Sequence, residues 1–406
     1  MTGKDIETTT EKNFKSNHFQ TGRVVTMGGV HAVHDTYTAF LAPMLPVFIT
    51  NLGLSRAEAG MLSVFTQAPS VTQPFIGHAS DRTNLNYWVF LAPALTAVMM
   101  SFLGLVPAYL WLAVILTLVG LSSAVFHAVG PVITGRLSGS NLGRGMSVWM
   151  VGGEFGRTLG PLVIVTALAH LTAKKLPWLS VAGILGSLLL YWKIHNISGI
   201  SHQSRETVHW RDGLRHMGPF LIPLAGIITV RAFLISGLTT YLPTFLTDEG
   251  ESLWLAGASL TILQAAGTAG ALVTGSLSDH IGRRRMLLIL MFSAPILTFF
   301  FLNFNGWLRL LLLVGLGATV VSTTPVVMAA VQEFSPDNRA FANGVYMCLS
   351  FVIRSVAILV VGLIGDRFGL RQAIGLSAVV MAFGTVFIFF FPKDKKRKNQ
   401  QWEKRN

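Results

Sequence analysis

Twelve stretches of this chain stay apolar for about as long as a helix needs to cross the hydrocarbon core of a bilayer, roughly 17–25 residues. They run approximately 23–49, 57–79, 87–106, 109–135, 145–172, 177–197, 218–246, 253–278, 286–303, 307–331, 341–364 and 371–391. In lipid, each backbone amide must be satisfied within the chain, so runs this long and numerous can only become helices. The composition agrees, with 51% hydrophobic and 12% charged residues against roughly 25% charged in soluble domains. The expected fold is an all-α membrane protein of twelve transmembrane helices.

Polar joints set the organisation. A cytoplasmic tail is expected over 1–21, a first six-helix bundle over 22–197, a linker over 198–217, a second bundle over 218–392 and a basic tail over 393–406. The polar start lacks the short apolar core of a secretory signal. Basic residues collect on one side: Lys4, Lys12, Lys15, Arg23, Arg82, Arg136, Arg144, Arg283 to Arg285, Arg339, the linker and the tail. The positive-inside bias therefore predicts cytoplasmic termini in a cell inner (plasma) membrane. The same bias accounts for the net charge of +13, and no nucleic-acid motif competes with it. The single cysteine, Cys348, can form no internal disulfide.

The halves echo each other. Gly77, Asp81 and Arg82 follow span two, and Gly275, Asp279, Gly282, Arg283 and Arg284 follow span eight, with the aspartates 198 positions apart. Arg144 and Arg339 form a second pair of landmarks, 195 apart. Two matches at nearly one offset predict duplicated, pseudo-symmetric six-helix bundles. An aspartate at a helix end, with arginines across the joint, reads as a latch closing the cytoplasmic face.

Five ionisable residues interrupt the apolar runs: Asp35, Glu154, Arg157, Arg231 and Arg354. A charge at membrane depth costs several kcal/mol and normally faces a partner or a wet cavity. Asp35 stands about 18 Å along span one, near the midplane, with His31 on the same helix face and His34 beside it. Its carboxyl group is the expected proton carrier, and His31 or His34 its modulator. Glu154 and Arg157 are three apart and can pair along one face; Glu154 is second in line for proton coupling. Arg231 and Arg354 have no acidic neighbour on their own helix, and guanidinium suits carboxylate, phosphate or phosphonate. Gln67, Gln73, Gln264, Thr323 and Thr324 are weaker polar candidates. Gly152, Gly153, Gly156 and Gly160 permit close helix contact, and Gly160-Pro161 can bend span five.

These loops resemble the signature of the major facilitator superfamily, over the whole chain. The second copy matches its G-x-x-x-D-R-x-G-R-R pattern with His280 in place of the first arginine; the first keeps Gly77, Asp81 and Arg82 but has Asn84 for glycine. Within that superfamily three stretches are similar to the fosmidomycin-resistance type of drug exporter. They are His31-Ala32-Val33-His34-Asp35, Ser122-Ser123-Ala124-Val125-Phe126-His127, and the run from Val151 to Pro161 with its antiporter-like G-x-x-x-G-P element. Ala128 and Val129 stand where Pro-Glu is the pattern, and Glu154 and Arg157 replace uncharged residues. The resemblance implies a cavity lined by spans one, four, seven and ten, with Arg231 in it and Arg354 more peripheral; His127, in its family-like Phe126-His127 context, and Arg157 are further candidate substrate contacts.

The expected function is secondary active transport by alternating access. Export of a small anionic or amphiphilic organic molecule by proton antiport is the leading expectation, with drug resistance as the associated trait. Proton symport of an organic anion or metal chelate is the alternative. An intramembrane enzyme is disfavoured because no H-E-x-x-H or G-x-S-x-G element occurs. No cofactor is expected, and no metal, since His31 with Asp35 alone makes a poor site. The expected partners are a small-molecule substrate, protons and the lipid bilayer, around a monomer.

Overall fold

The computed structural model describes residues 18–80, 86–196, 210–334 and 339–391. Among them the chain forms sixteen α-helices and no strand. In order these are α1 (Thr21–Thr38), α2 (Leu41–Leu52), α3 (Arg56–Gln67), α4 (Gln73–Ser80), α5 (Asn86–Phe102), α6 (Tyr109–Leu137), α7 (Leu142–His170) and α8 (Ser180–Ile194). Then follow α9 (Trp210–Thr239), α10 (Leu242–Asp248), α11 (Leu253–Ile281), α12 (Arg283–Asn303), α13 (Trp307–Leu316), α14 (Thr323–Phe334), α15 (Arg339–Phe368) and α16 (Leu370–Gly384).

Each expected span falls largely on helix among the described residues, with breaks at Ala39–Phe40 in span one and Thr240–Tyr241 in span seven. Among the described residues nine helical stretches are long and apolar enough to cross a membrane. The other three coincide with spans one, two and five. Span one is divided between α1 and α2, and span two is α3 and α4 joined by a 3-10 segment, Ala68–Thr72. Span five is the unbroken α7, which runs through Pro161 and carries Glu154 and Arg157. Large apolar side chains on the surface, including Trp88, Trp178, Phe292 and Phe383, need lipid around them.

Packing separates two compact units. One comprises the chain up to Arg205 together with Tyr241–Thr261, the other Glu206–Thr240 and the chain from Ile262 onward. In the first unit, apolar clusters lie on either side of the His31–Asp35 turn of α1. Val24, Met27 and Val30 pack with Phe126 and Trp149, while Tyr37, Phe40 and Met44 pack with Leu116 and Ile164.

The duplication shows a third landmark in the structure. Leu45-Pro46-Val47-Phe48-Ile49-Thr50-Asn51-Leu52-Gly53 and Leu242-Pro243-Thr244-Phe245-Leu246-Thr247-Asp248-Glu249-Gly250 lie 197 positions apart. Both copies end their helix in the same way. Gly53 and Gly250 adopt φ of 65° and 90°, a left-handed turn that suits glycine. The next amide then folds back, Leu54 to the Ile49 carbonyl at 3.2 Å and Glu251 to Leu246 at 2.9 Å. Thr50 and Thr247 each donate to the carbonyl of the proline four residues earlier, at 3.0 and 3.1 Å. Within the first unit these copies, α2 and α10, pack together, and Arg56 pairs with Asp248 at 2.8 Å.

Candidate functional site

A glycine face makes the first part of the site. A Cβ placed on Gly152, Gly156 or Gly160 of α7 would come within 3 Å of the carbonyl oxygens of Gly28, Ala32 and Thr36 respectively. The four-residue spacing on both helices brings backbone against backbone, as small residues allow in membranes. A Cβ on Gly153 would collide with the His31 ring and reach within 3.1 Å of the Asp35 carboxylate. The glycines therefore do two things: they clamp α1 to α7, and they leave the volume that His31 and Asp35 occupy.

His31, Asp35 and His127 meet in that volume. Asp35 is 2% and His31 3% exposed. His31 Nε2 lies 3.4 Å from Asp35 Oδ2, His127 Nε2 lies 3.4 Å from Asp35 Oδ1, and the two Nε2 atoms are 3.2 Å apart. The other ring nitrogens fix the tautomers. His31 Nδ1 faces the Trp149 carbonyl at 2.8 Å and His127 Nδ1 the Ser123 carbonyl at 2.9 Å. A carbonyl can only accept, so each Nδ1 carries the hydrogen and each neutral Nε2 presents a lone pair. His31 also stacks on Trp149, with ring centroids 3.9 Å apart.

Arg157 closes one side. It pairs with Glu154, as the spacing predicts, and its Nη1 reaches Asp35 Oδ2 at 3.4 Å. Two carboxylates and one guanidinium leave this cluster one negative charge when both imidazoles are neutral. His34 stands apart from the hydrogen bonds: its ring stacks on Phe126 at 4.4 Å, and neither nitrogen has a partner.

Among the candidates on the second unit, Arg231 is 8% exposed on α9. Its Nη2 donates to the Thr324 hydroxyl and it hydrogen-bonds Tyr346, while its Nε has no partner. No carboxylate pairs with it among the described residues. Arg354 donates to the Thr239 hydroxyl at 3.1 Å. Thr323 is buried and turns its hydroxyl to the Val320 carbonyl of its own chain segment. Gln67 ends α3 at the start of the 3-10 joint, with Oε1 unpartnered. Gln264 and Gln73 lie on α11 and at the start of α4.

The latch is visible in its second copy. Arg283 pairs with Asp279 and with Glu333 at 2.9 Å, and donates to the Gly275 carbonyl at 3.3 Å. Gly282, at φ 98°, precedes α12. A Cβ on Gly275 would meet nothing within 4 Å among the described residues, so close helix approach does not explain that glycine; its carbonyl is what Arg283 uses. Arg284 lies over the Phe389 ring, and Arg144 over Phe19 at 4.7 Å. Arg339 begins α15 and Gly77 lies in α4. Asp81 and Arg82 of the first copy lie outside the described residues, as do most of the linker and both tails.

Four participants escaped sequence reading. The Trp149 carbonyl, Tyr346, Thr239 and Glu333 act through contacts between helices that no spacing along one helix reveals. Glu333 had a usable signal: an acid at the end of span ten, just before the second arginine landmark.

The site is a buried polar centre inside a glycine-clamped helix pair of an α-helical membrane chain. The sequence profile of the Major Facilitator Superfamily matches residues 28–357 and, in a second match, 257–405. The chain belongs to that superfamily; it is a transporter of small molecules and not an enzyme. It is 24% identical to the uncharacterised MFS-type transporter YfnC of Bacillus subtilis (strain 168), over 92% of this chain and 93% of that one. It is 23% identical to the fosmidomycin resistance protein of Escherichia coli (strain K12), over 88% and 90%. Its fold is similar to a bacterial homologue of the human lysosomal transporter Spinster, with TM-score 0.75, 15% identity and coverage of 91% and 96%. A D-xylose-proton symporter is similar with TM-score 0.69, 16% identity and coverage of 92% and 97%.

Proposed function

We propose that this protein is a proton-coupled exporter of a small anionic or amphiphilic organic molecule, working by alternating access in the cell inner membrane with both termini cytoplasmic. Arg231 carries the reading. A buried guanidinium whose described contacts are a hydroxyl and a phenol keeps its charge uncompensated, and an anion would supply what those neutral groups cannot. The first unit complements it. Its cluster of Asp35, Glu154 and Arg157 is one negative charge out of balance, and a proton shared among Asp35, His31 and His127 would neutralise it. Relatives named for fosmidomycin resistance and, at 22% identity, for multidrug efflux in Streptococcus pneumoniae support export over uptake. The Arg283–Asp279–Glu333 contacts would hold a cytoplasmic latch that breaks and reforms in each cycle.

The test is flux in proteoliposomes under an imposed pH gradient, with a phosphonate, a carboxylate and a hydroxamate as probes and a chelator in both compartments. Movement of at least one anion against the proton gradient, lost in Asp35→Asn, is the expected result. Anion movement with the protons indicates symport instead. Transport indifferent to the gradient, or confined to neutral and cationic compounds, refutes the coupling and the anion reading respectively.

A further inference from the structure

We propose that His31, Asp35 and His127 form a binding site for a divalent transition-metal cation of the zinc and cobalt class. The geometry comes first. A tetrahedral ion bound at about 2.0–2.1 Å sets its ligand atoms about 3.3–3.4 Å apart. The observed separations are 3.2 Å between the two Nε2 atoms, 3.4 Å from His31 Nε2 to Asp35 Oδ2 and 3.4 Å from His127 Nε2 to the other carboxylate oxygen, Oδ1, so ligation through a single oxygen needs a small rotation of the carboxylate. One atom from each of the three residues falls within 4.8 Å of the others. Two imidazoles and a carboxylate also suit a borderline-soft divalent ion.

The hydrogen bonding points the same way. With both Nδ1 hydrogens given to the Trp149 and Ser123 carbonyls, the two Nε2 lone pairs converge on the carboxylate, to whose Oδ2 Arg157 Nη1 donates at 3.4 Å. Asp35 Oδ1 has no hydrogen-bond partner although Asp35 is almost fully buried. Arg157 offsets the carboxylate charge from one side, and the two Nε2 lone pairs still face each other and Asp35 Oδ1 with no hydrogen between them, an arrangement a cation would relieve. The carbonyl contacts are also the outer-shell bonds that fix the orientation of metal-binding histidines.

Access and charge complete the case. His127 and Arg157 have side chains 27% and 41% exposed, which leaves an approach to the otherwise buried ligands. Arg157 opposes the ion: its Nη1 shares Asp35 Oδ2 at 3.4 Å, and its other contact, Glu154, remains available when it withdraws. A divalent ion added to two carboxylates and one guanidinium gives one net positive charge, so an anionic fourth ligand would bring the centre to neutrality. The site and the transport reading are separable, because binding needs no flux and the flux test excludes metal with a chelator.

The experiment is equilibrium binding of Co²⁺ and Zn²⁺ to the purified full-length protein after removal of any affinity tag. About one ion per chain is expected, with the intense visible absorption of tetrahedral Co²⁺. His127→Gln and Asp35→Asn should each weaken binding at least about tenfold, a loss no smaller than that seen when outer-shell partners are removed. His195→Ala, at an exposed histidine just past the end of α8, should leave affinity unchanged. Arg157→Gln should bind more tightly, an effect that a merely damaged fold would not give. No saturable binding by the wild-type protein, wild-type affinity in His127→Gln, or weaker binding in Arg157→Gln would each overturn the proposal.

Discussion

At Gly153 a single hydrogen atom separates a working centre from a blocked one. Gly153→Ala puts a methyl group into the His31 ring, so the ring and the Asp35 carboxylate must move. Proton-driven flux should fall at least about tenfold in that variant, the scale on which misplacement by about 1 Å is felt. Helix content by circular dichroism should stay unchanged. Arg231 offers the complementary measurement. Arg231→Gln removes a charge-assisted contact worth about 1.5–3 kcal/mol. Anion affinity should drop at least about tenfold, while a neutral substrate analogue binds as before; equal affinities for both in the variant and the wild type would remove Arg231 from the substrate site. Sequence made these residues visible as charges in apolar runs. It hid their partners, because the Trp149 carbonyl, Tyr346 and the His127–Asp35 approach depend on how different helices are set side by side.

At the level of elements, the glycines of α7 and Gly275 of the latch behave oppositely. Gly156→Val would drive a branched side chain into the Ala32 carbonyl and should destabilise the protein by about 1–3 kcal/mol or more, read as a lowered thermal midpoint in detergent. Gly275→Ala meets nothing within 4 Å among the described residues and should be neutral or stabilising by up to about 1 kcal/mol. The extent of the helices was legible from hydropathy alone, but their interruptions were not. The divisions at Ala39–Phe40 and Thr240–Tyr241 precede Pro43 and Pro243, which lack an amide hydrogen and sit within the first turn of the following helix. A span drawn by apolarity runs straight across such a break. The third repeat landmark could have been read from Leu-Pro-x-Phe at 45–48 and 242–245, yet its meaning depends on the shared left-handed glycine turn. Arg56 and Asp248 next to that turn are 30% and 37% exposed, so a double-mutant cycle on thermal stability should give a coupling of only about 0.2–1 kcal/mol.

For the molecule as a whole, orientation is the property most directly accessible. Trypsin should remove the basic segment 393–406 in inside-out vesicles and spare it in right-side-out ones; cleavage from the outer face would reverse the assignment. The duplication also bears on how the centre can respond to its occupant. His31 and Asp35 belong to a helix bolted, carbonyl against glycine, to α7, and such a joint has little give. His127 arrives from α6, outside that joint. In the proposed metal centre, loading would draw on α6 as well as on α1, because His127 is the ligand that the α1–α7 joint does not hold.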